Sequence, residues 1–335
     1  MTQQEKIRAC IHELADSKSF FDGYATPKGL KELRITIANY LSKKLNTEIS
    51  AENLFITAGS QQSIDLLSRL LIKPNDTIIS EEPTYFGAIG SFGKQKANVS
   101  TVGVDDSGID LNGLKQVITK NDPKLIYTVP TFNNPTGISW TGDQRQEFLE
   151  IANRHNLPII EDDPYSEFNY VGEKFKSLFE LNKNDNGIYL GTFSKIISPE
   201  LNVGYILANK SIIHALYEQK IFADMNTSPF VQKFVNHYLN NFDIESDIDT
   251  KRNLYKEKSV SVREQLSSEF PDIKLSNMKG GLYMSAYLPN EIETCIYDTN
   301  YFDTARQKLH RVNISKPYAE ISQGLNSTLS RGRNT

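Results

Sequence analysis

The sequence predicts an α/β fold with a seven-stranded, mainly parallel sheet and a smaller C-terminal α+β domain. Seven short runs are apolar at consecutive positions, which is typical of strands covered on both faces. Helix-like segments such as 61–71 and 144–155 separate several of these runs. Alternating strand and helix indicates a parallel sheet with helices on both sides. The predicted strands are Leu54–Thr57, Thr77–Ser80, Asn98–Val102, Leu125–Val129, Leu157–Glu161, Ile188–Thr192 and Val203–Leu207.

The character of the chain changes after about residue 240. A long, charged, helix-like segment over 244–270 leads into two short apolar runs that are separated by a pair of glycines. This change of pattern predicts a separate, smaller unit. The predicted division is an N-terminal helix over 1–23, a large domain over 24–240 and a small domain over 241–335.

The composition excludes several classes of protein. Of 335 residues, 39% are hydrophobic, and 37 basic residues against 41 acidic ones give a net charge of −4, so neither nucleic acid nor an anionic membrane is an expected partner. The sequence has no apolar run of ~18 residues and no secretory signal, which predicts a cytoplasmic protein. The two cysteines and five histidines show no metal-ligand spacing, so no metal is expected.

Residues with chemical function follow five of the predicted strands. Open α/β sheets bind their ligands beyond the carboxyl ends of the strands. Five polar segments at such ends therefore predict one shared ligand site. These segments are Ala58–Gln62, Glu81–Tyr85, Pro130–Gly137, Asp162–Tyr165 and Phe193–Lys195.

In order and spacing, these motifs resemble those of the pyridoxal-phosphate-dependent aminotransferases of class I and II, whose fold is called fold type I. The resemblance extends over residues 20 to about 288 and includes Gly-Ser-Gln-Gln from Gly59, Asn-Pro-Thr-Gly from Asn134 and Thr-Phe-Ser-Lys ending at Lys195. The Gln-Gln pair and the run 224–228 are most similar to the aminoadipate and MocR-like branch. The resemblance implies a pyridoxal phosphate cofactor, with an amino acid and a 2-oxo acid as substrates.

The resemblance also assigns the catalytic roles. Lys195 would form the Schiff base with the cofactor aldehyde and then move the substrate proton as base and acid. Asp162 would keep the pyridine nitrogen protonated, so that the ring can accept electrons. Tyr165 and Asn134 would bind the 3-hydroxyl group, and Asn134 would also contact the substrate. A turn is the structural alternative for the Asn-Pro-Thr-Gly segment.

Further residues are implied to hold the cofactor. Tyr85 would stack on the ring, although core packing also explains an aromatic residue there. Ser60 and Gln61 would offer amide and side-chain donors to the phosphate at a helix start, and helix capping explains Ser60 nearly as well. The phosphate site would be completed by Thr192 and Ser194 of the same chain and by Tyr24 and Asn226 of a neighbouring subunit. This sharing implies a homodimer.

The sequence departs from the family pattern at three places. Asn202 stands where the family has an arginine that pairs with the phosphate, which predicts weaker retention of the cofactor. The glycine- and proline-containing arm that covers the substrate is missing, so any lid is expected to come from elsewhere. At the C-terminus, Ser330 occupies the place of the family's carboxylate-binding arginine on a strand, which leaves Arg331 as the candidate and indicates an altered end.

Two other functions stay open at this stage. Fold and cofactor do not determine the reaction, so a pyridoxal-phosphate-dependent β-lyase is one alternative. The other is a non-catalytic or degenerate cofactor-binding domain of a MocR-like regulator. Turnover of an amino acid separates both enzymes from the regulator, and release of ammonia and pyruvate separates the lyase from the aminotransferase.

Overall fold

The computed structural model describes residues 1–17, 23–172, 175–287, 294–295, 306–307 and 309–332. Its central feature is an eight-stranded sheet that contains all seven predicted strands. The strands are β1 (Leu54–Thr57), β2 (Thr77–Glu82), β3 (Asn98–Asp105), β4 (Gly108–Ile109), β5 (Leu125–Thr128), β6 (Ile159–Asp162), β7 (Gly187–Thr192) and β8 (Gly204–Leu207). Their order across the sheet is β1-β8-β7-β6-β5-β2-β3-β4. The prediction of seven strands omitted β4, because two residues after a tight turn are too short to form a recognisable apolar run.

The directions of the strands decide where the site forms. Strands β2, β3, β5, β6 and β7 pair in parallel. Strand β8 is antiparallel to β7, and β1 is antiparallel to β8, so β1 has the same direction as β7. The carboxyl ends of β1, β2, β5, β6 and β7 therefore lie at one edge, where the sequence placed the shared ligand site.

Helices cover both faces of this sheet. On β1, Phe55 packs into one hydrophobic cluster, whereas Leu54 and Ile56 pack into another on the opposite face. The predicted helices over 61–71 and 144–155 are confirmed. The helices are α1 (Gln3–Asp16), α2 (Lys31–Lys44), α3 (Gly59–Leu71), α4 (Phe86–Lys94), α5 (Leu111–Asn121), α6 (Gly142–Arg154), α7 (Leu178–Leu181), α8 (Lys210–Asp224), α9 (Pro229–Asn241), α10 (Ile244–Glu269) and α11 (Tyr318–Gly332). Within the described ranges, no helix combines the length and apolar character that crossing a membrane requires.

The C-terminal part is a small α+β arrangement. Strands β9 (Lys274–Leu275), β10 (Tyr283–Tyr287) and β13 (Leu309–Asn313) form one sheet, and β11 (Thr294–Cys295) pairs with β12 (Arg306–Gln307). Leu266 of α10, Met284 of β10 and Leu325 of α11 share a core cluster, which also contains Phe132 and Tyr165 from loops of the main sheet. This cluster brings the small sheet against the loops that carry the predicted site.

The expectation of a strand at the end of the chain is wrong. Residues 326–331 lie in α11, and the buried residues Ile321 and Leu325 are four positions apart, as the helical period requires. Arg331 is therefore on a helix, and a strand register does not determine its position. The division at residues 23 and 240 stays a prediction.

Candidate active site

A cavity of about 250 Å³ lies at the carboxyl edge of the sheet. It brings together six of the residues predicted from sequence, which are Ser60, Tyr85, Asn134, Asp162, Tyr165 and Lys195. Tyr283 of β10 and Arg311 of β13 close the cavity from the small sheet. The site is therefore built by strand ends of the main sheet and by two side chains from the C-terminal part.

Asp162 ends β6 at the cavity wall and is 3% exposed. Its Oδ2 accepts a hydrogen bond from the Tyr127 hydroxyl at 2.8 Å. Its Oδ1 is buried and has no hydrogen-bond partner among the described residues. Burial raises the pKa of this carboxyl to about 7. The atom Oδ1 is therefore a buried acceptor that requires a donor from a bound molecule.

Lys195 follows β7 and belongs to a helical turn that is closed by a hydrogen bond from the Ile197 N–H to the Phe193 carbonyl at 2.9 Å. Its side chain is half-buried and lines the cavity. Burial lowers the pKa of its ammonium group. A larger fraction of free amine at neutral pH suits a nucleophile or a general base.

Asn134 connects the two halves of the site. Its Nδ2 donates to the Tyr165 hydroxyl at 3.5 Å, and its Oδ1 accepts from Arg311 Nη1 at 3.3 Å. The buried carboxyl group of Glu81 on β2 stabilises the loop that carries Asn134. Oε2 of Glu81 accepts from the Val129 N–H at 2.8 Å and from Asn133 Nδ2 at 3.2 Å. Thus a hydrogen-bonded chain joins strand β2, the loop and strand β13.

Arg311 is a functional candidate that the sequence analysis missed. Its guanidinium carbon lies 5.0 Å from the ring centroid of Tyr283, and its Nη1 bonds to Asn134. Val312 and Ile314 are buried in the core, so the alternation of a strand directs Arg311 to the cavity side. The alternating pattern at 310–314 was an available signal for this strand. Arg331, the residue proposed from sequence for the same role, lies on α11 instead.

The start of α3 forms another part of the cavity wall. Ala58, the N-cap residue of this helix, has no side chain that caps it, so the first amides of the helix are left for a ligand. A Cβ at Gly204 would lie 2.9 Å from the Ser60 nitrogen, so glycine allows β8 to approach the helix start closely. Asn202 has a left-handed backbone with φ 46°, and its Oδ1 faces Gly59. The residue that replaces the family arginine is thus beside the helix start.

Other predicted cofactor contacts have different partners in the structure. The side-chain amide of Gln61 donates to the Gly87 carbonyl and to Ser91 Oγ, both at 3.1 Å, so it is directed to α4. Thr192 Oγ1 donates to the Val203 carbonyl at 3.0 Å and accepts from the Ser194 N–H at 3.1 Å. The bonds of Thr192 fix the turn before Lys195. Since the Gln61 side chain is bonded to α4, its backbone amide is the group left to bind a phosphate.

Two residues were expected to act at the site of a neighbouring subunit. Tyr24 is 89% exposed, and Asn226 is half-buried in the segment between α8 and α9. Neither of them lines the cavity of its own chain. Their positions suit the expected sharing, which stays a prediction. Tyr85, by contrast, lines the cavity and packs edge-on against Phe86 at a centroid distance of 5.2 Å.

Comparison with known proteins confirms the resemblance described from the motifs. The profile of the family described as "Aminotransferase class I and II" matches residues 2–322. The aromatic-amino-acid aminotransferase 1 of Thermococcus litoralis is 32% identical over 277 residues, which cover 81% of this chain and 66% of that protein. The 2-aminoadipate transaminase of Thermus thermophilus is 30% identical over 291 residues, covering 86% of this chain and 72% of that protein.

The fold is also shared with solved structures. The kynurenine aminotransferase of Pyrococcus horikoshii superposes with a TM-score of 0.89 at 28% identity, over 99% of this chain and 87% of that one. The eight-stranded α/β architecture is thus the fold-type-I architecture predicted from the motifs. The chain is shorter than these proteins, and it spans 66% of the length of the Thermococcus litoralis protein.

Proposed function

Because the chain belongs to the class I and II aminotransferase family, we propose that it transfers an amino group between an amino acid and a 2-oxo acid with pyridoxal phosphate as cofactor. One observation carries the proposal. The amine of Lys195 and the unpartnered Oδ1 of Asp162 belong to the same cavity.

The residues of the cavity fit pyridoxal phosphate. Asp162 Oδ1 would accept the N–H of the protonated ring, which satisfies the one buried oxygen of this carboxylate that lacks a donor. Tyr165 and Asn134 would bind the ring hydroxyl, and the first amides of α3 with Ser60 would bind the phosphate. When bound, pyridoxal phosphate supplies an aldehyde that condenses with amines and a ring that accepts an electron pair.

The residues of the chain then control the proton. The Lys195 amine would accept the proton from the substrate Cα as a general base and donate it again as a general acid. Its lowered pKa keeps more of this group in the free-amine form. Asp162 would stabilise a positive charge on the ring nitrogen, because a carboxylate stabilises a neighbouring cation strongly inside a protein.

Arg311 and Asn134 are proposed to bind the substrate. A guanidinium presents two parallel donors that match a carboxylate, so Arg311 would bind the α-carboxylate. Its contacts with Tyr283 and Asn134 fix it at the cavity wall. The names of the relatives place aromatic amino acids, 2-aminoadipate and kynurenine first among the substrates to test.

A cytoplasmic homodimer is part of the same proposal. Large apolar side chains are exposed around the end of α8, with Phe222 at 80% and Met225 at 60% exposure. Tyr24 and the start of α9 line one neighbouring groove. Such an exposed apolar surface is typical of a protein interface. Sedimentation equilibrium checks this part: the wild type is expected to be dimeric and a Phe222→Ser variant less so.

The test of the function is the visible spectrum of the purified protein with pyridoxal phosphate. We expect an absorption band that Lys195→Ala lacks, and the band should change when an amino acid is added and recover with a 2-oxo acid. Loss of the band in Lys195→Ala with no response to any amino acid would support the regulatory alternative. Release of ammonia and pyruvate would support the β-lyase. A band of equal size in Lys195→Ala would contradict the role of Lys195.

A further inference from the structure

The helical turn of Lys195 ends with the backbone carbonyls of residues 195, 196 and 197. The turn is closed once, by the Ile197 N–H donating to the Phe193 carbonyl at 2.9 Å. If the helix continued, the N–H groups of residues 199, 200 and 201 would donate to the carbonyls of residues 195, 196 and 197. The chain does not continue in this way, so these carbonyls need other donors.

The next residues explain why the local backbone provides none of these bonds. Pro199 has no N–H group. The Glu200 N–H donates to Ser198 Oγ at 3.4 Å, and the Leu201 N–H donates to the Ser198 carbonyl at 3.3 Å. The sequence after Lys195 therefore turns the chain into a short 3₁₀ helix and leaves the three carbonyls to be bound from outside.

Lys251 of α10 provides these bonds. Its Nζ lies 3.4 Å from the Lys195 carbonyl oxygen, 2.6 Å from that of Ile196 and 3.0 Å from that of Ile197. An ammonium group has three N–H donors, which matches the number of acceptors. Gln3 of α1 adds one further bond, from its Nε2 to the Ile196 carbonyl at 3.1 Å.

The neighbouring charge does not compete for Lys251. Asp247, one helical turn earlier on α10, accepts from Lys6 Nζ at 2.7 Å and from the Tyr238 hydroxyl at 2.6 Å. Burial lowers the pKa of Lys251 to about 8, with Asp247 acting in the opposite direction. The fold thus places a partly desolvated cation behind the turn, fifty-six residues from Lys195 in sequence.

We propose that Lys251 is a positioning residue for Lys195. Its ammonium group fixes the turn at residues 195–197, and so fixes where the Lys195 side chain leaves the backbone and enters the cavity. This proposal rests on the proposed role of Lys195 as the amine that reacts. A misplacement of such a group by about 1 Å is enough to reduce a reaction rate ~100-fold.

The test compares K251M, which keeps the length of the side chain without its charge, with K251R, which keeps the charge and the donors. K256M is the matched control, because Lys256 is an exposed lysine of the same helix. The first measurement uses the protein without cofactor. Lys195 is acylated with a small amine-reactive acyl donor, and the extent of the reaction is followed by mass spectrometry as a function of pH. The pH profile gives the pKa of Lys195. The second measurement is kcat and KM of the loaded enzyme.

In K251M we expect the pH profile of Lys195 acylation to move upward by about half a pH unit or more. Burial lowers the pKa of Lys195, so a turn that is no longer fixed by Lys251 exposes the amine to more water and favours its protonated form. We expect kcat to fall ~10-fold while KM changes less than ~3-fold, because the placement of a reacting group is affected and substrate binding is not. K251R should recover most of both effects, and K256M should resemble the wild type.

A purely structural role gives a different result. If K251M lowers only the melting temperature, and its acylation profile and kcat equal those of K256M, the proposal is wrong. If K251M does not fold, K251Q and K251R replace it, and equal acylation profiles of Lys195 in these two variants would overturn the need for a cation. Failure of the proposed function is seen separately, as a cofactor band or turnover that does not depend on Lys195 in the wild-type background.

Discussion

One end of the cavity, which we name the ring end, is formed by Asp162, Asn134, Tyr165 and Arg311. Each of these side chains is bonded to or packed against a buried neighbour. The other end, which we name the phosphate end, is the start of α3 with Ser60, and Asn202 lies beside this helix start. Among the described residues that line the cavity, Arg311 is the one arginine, and it belongs to the ring end. The ring end therefore uses full charges, whereas the phosphate end uses backbone amides and neutral side chains.

This difference between the two ends separates the catalytic chemistry of the site from its affinity for the phosphate. Full charges at buried positions decide the electronic state of the ring and the binding of the substrate carboxylate. Backbone amides at a helix start attract an anion with only a partial charge. We therefore expect the chemistry of the site to be intact while the hold on the phosphate is weak.

Removal of the charge of Asp162 is expected to have the largest effect. In Asp162→Asn, kcat should fall ~100-fold, because a charge-assisted hydrogen bond to the ring is lost. Asp163→Asn is the matched control, since Asp163 is bonded to Lys44 and Ser166 instead of facing the cavity. Asp163→Asn should lower the melting temperature and keep kcat within ~3-fold of the wild type. Similar kcat values for the two variants would contradict the assignment.

Arg311→Gln is expected to raise KM for the amino acid ~10- to 100-fold, because the bidentate partner of the carboxylate is removed. Steady-state kinetics on the loaded enzyme measures this effect. Arg331→Gln should leave KM unchanged, which tests the structural assignment against the one made from the motif. A larger increase of KM in Arg331→Gln than in Arg311→Gln would reverse that assignment.

Asn202→Arg is expected to tighten the binding of pyridoxal phosphate ~10-fold, since the guanidinium would add a charged donor at the phosphate end. Titration of the cofactor-free protein, followed by absorbance or by quenching of tyrosine and tryptophan fluorescence, gives the dissociation constant. The substitution should change kcat less than ~3-fold. Equal affinity in the wild type and the variant would show that the helix start alone holds the phosphate.

The smallest expected effect is a pH dependence of stability in the cofactor-free protein. Burial raises the pKa of Asp162 from 3.8 to about 7, so between these values the folded state binds more protons than the unfolded state. The contribution of Asp162 to stability therefore decreases as the pH rises from about 4 to about 7. Over this range, the unfolding free energy of the wild type relative to Asp162→Asn should fall by on the order of 1 kcal/mol. Urea denaturation at several pH values measures it, and a constant difference would contradict the raised pKa.

The main sheet and most of the cavity could be predicted from local features of the sequence. Strands such as β1 and β5 are short runs of mainly apolar residues, and a run of this kind is a local signal that neighbouring residues do not obscure. Asp162 is the last residue of β6, and Asn134 and Lys195 lie in the loops that follow β5 and β7, so the direction of the sheet brings them together. Their roles could be predicted because each motif and the strand before it are formed by residues that are close in sequence.

The packing of the elements determines which distant residues complete the site. Arg311 reaches Asn134 across the contact between the two sheets, and Lys251 reaches the turn of Lys195 from α10. Gln61 turns to α4 because Gly87, which has no side chain, leaves room for its amide. Such contacts depend on how elements pack, and no local pattern records them. The strand expected around Arg331 was wrong for the same reason, because Ile321 and Leu325 are buried on one face of a helix there.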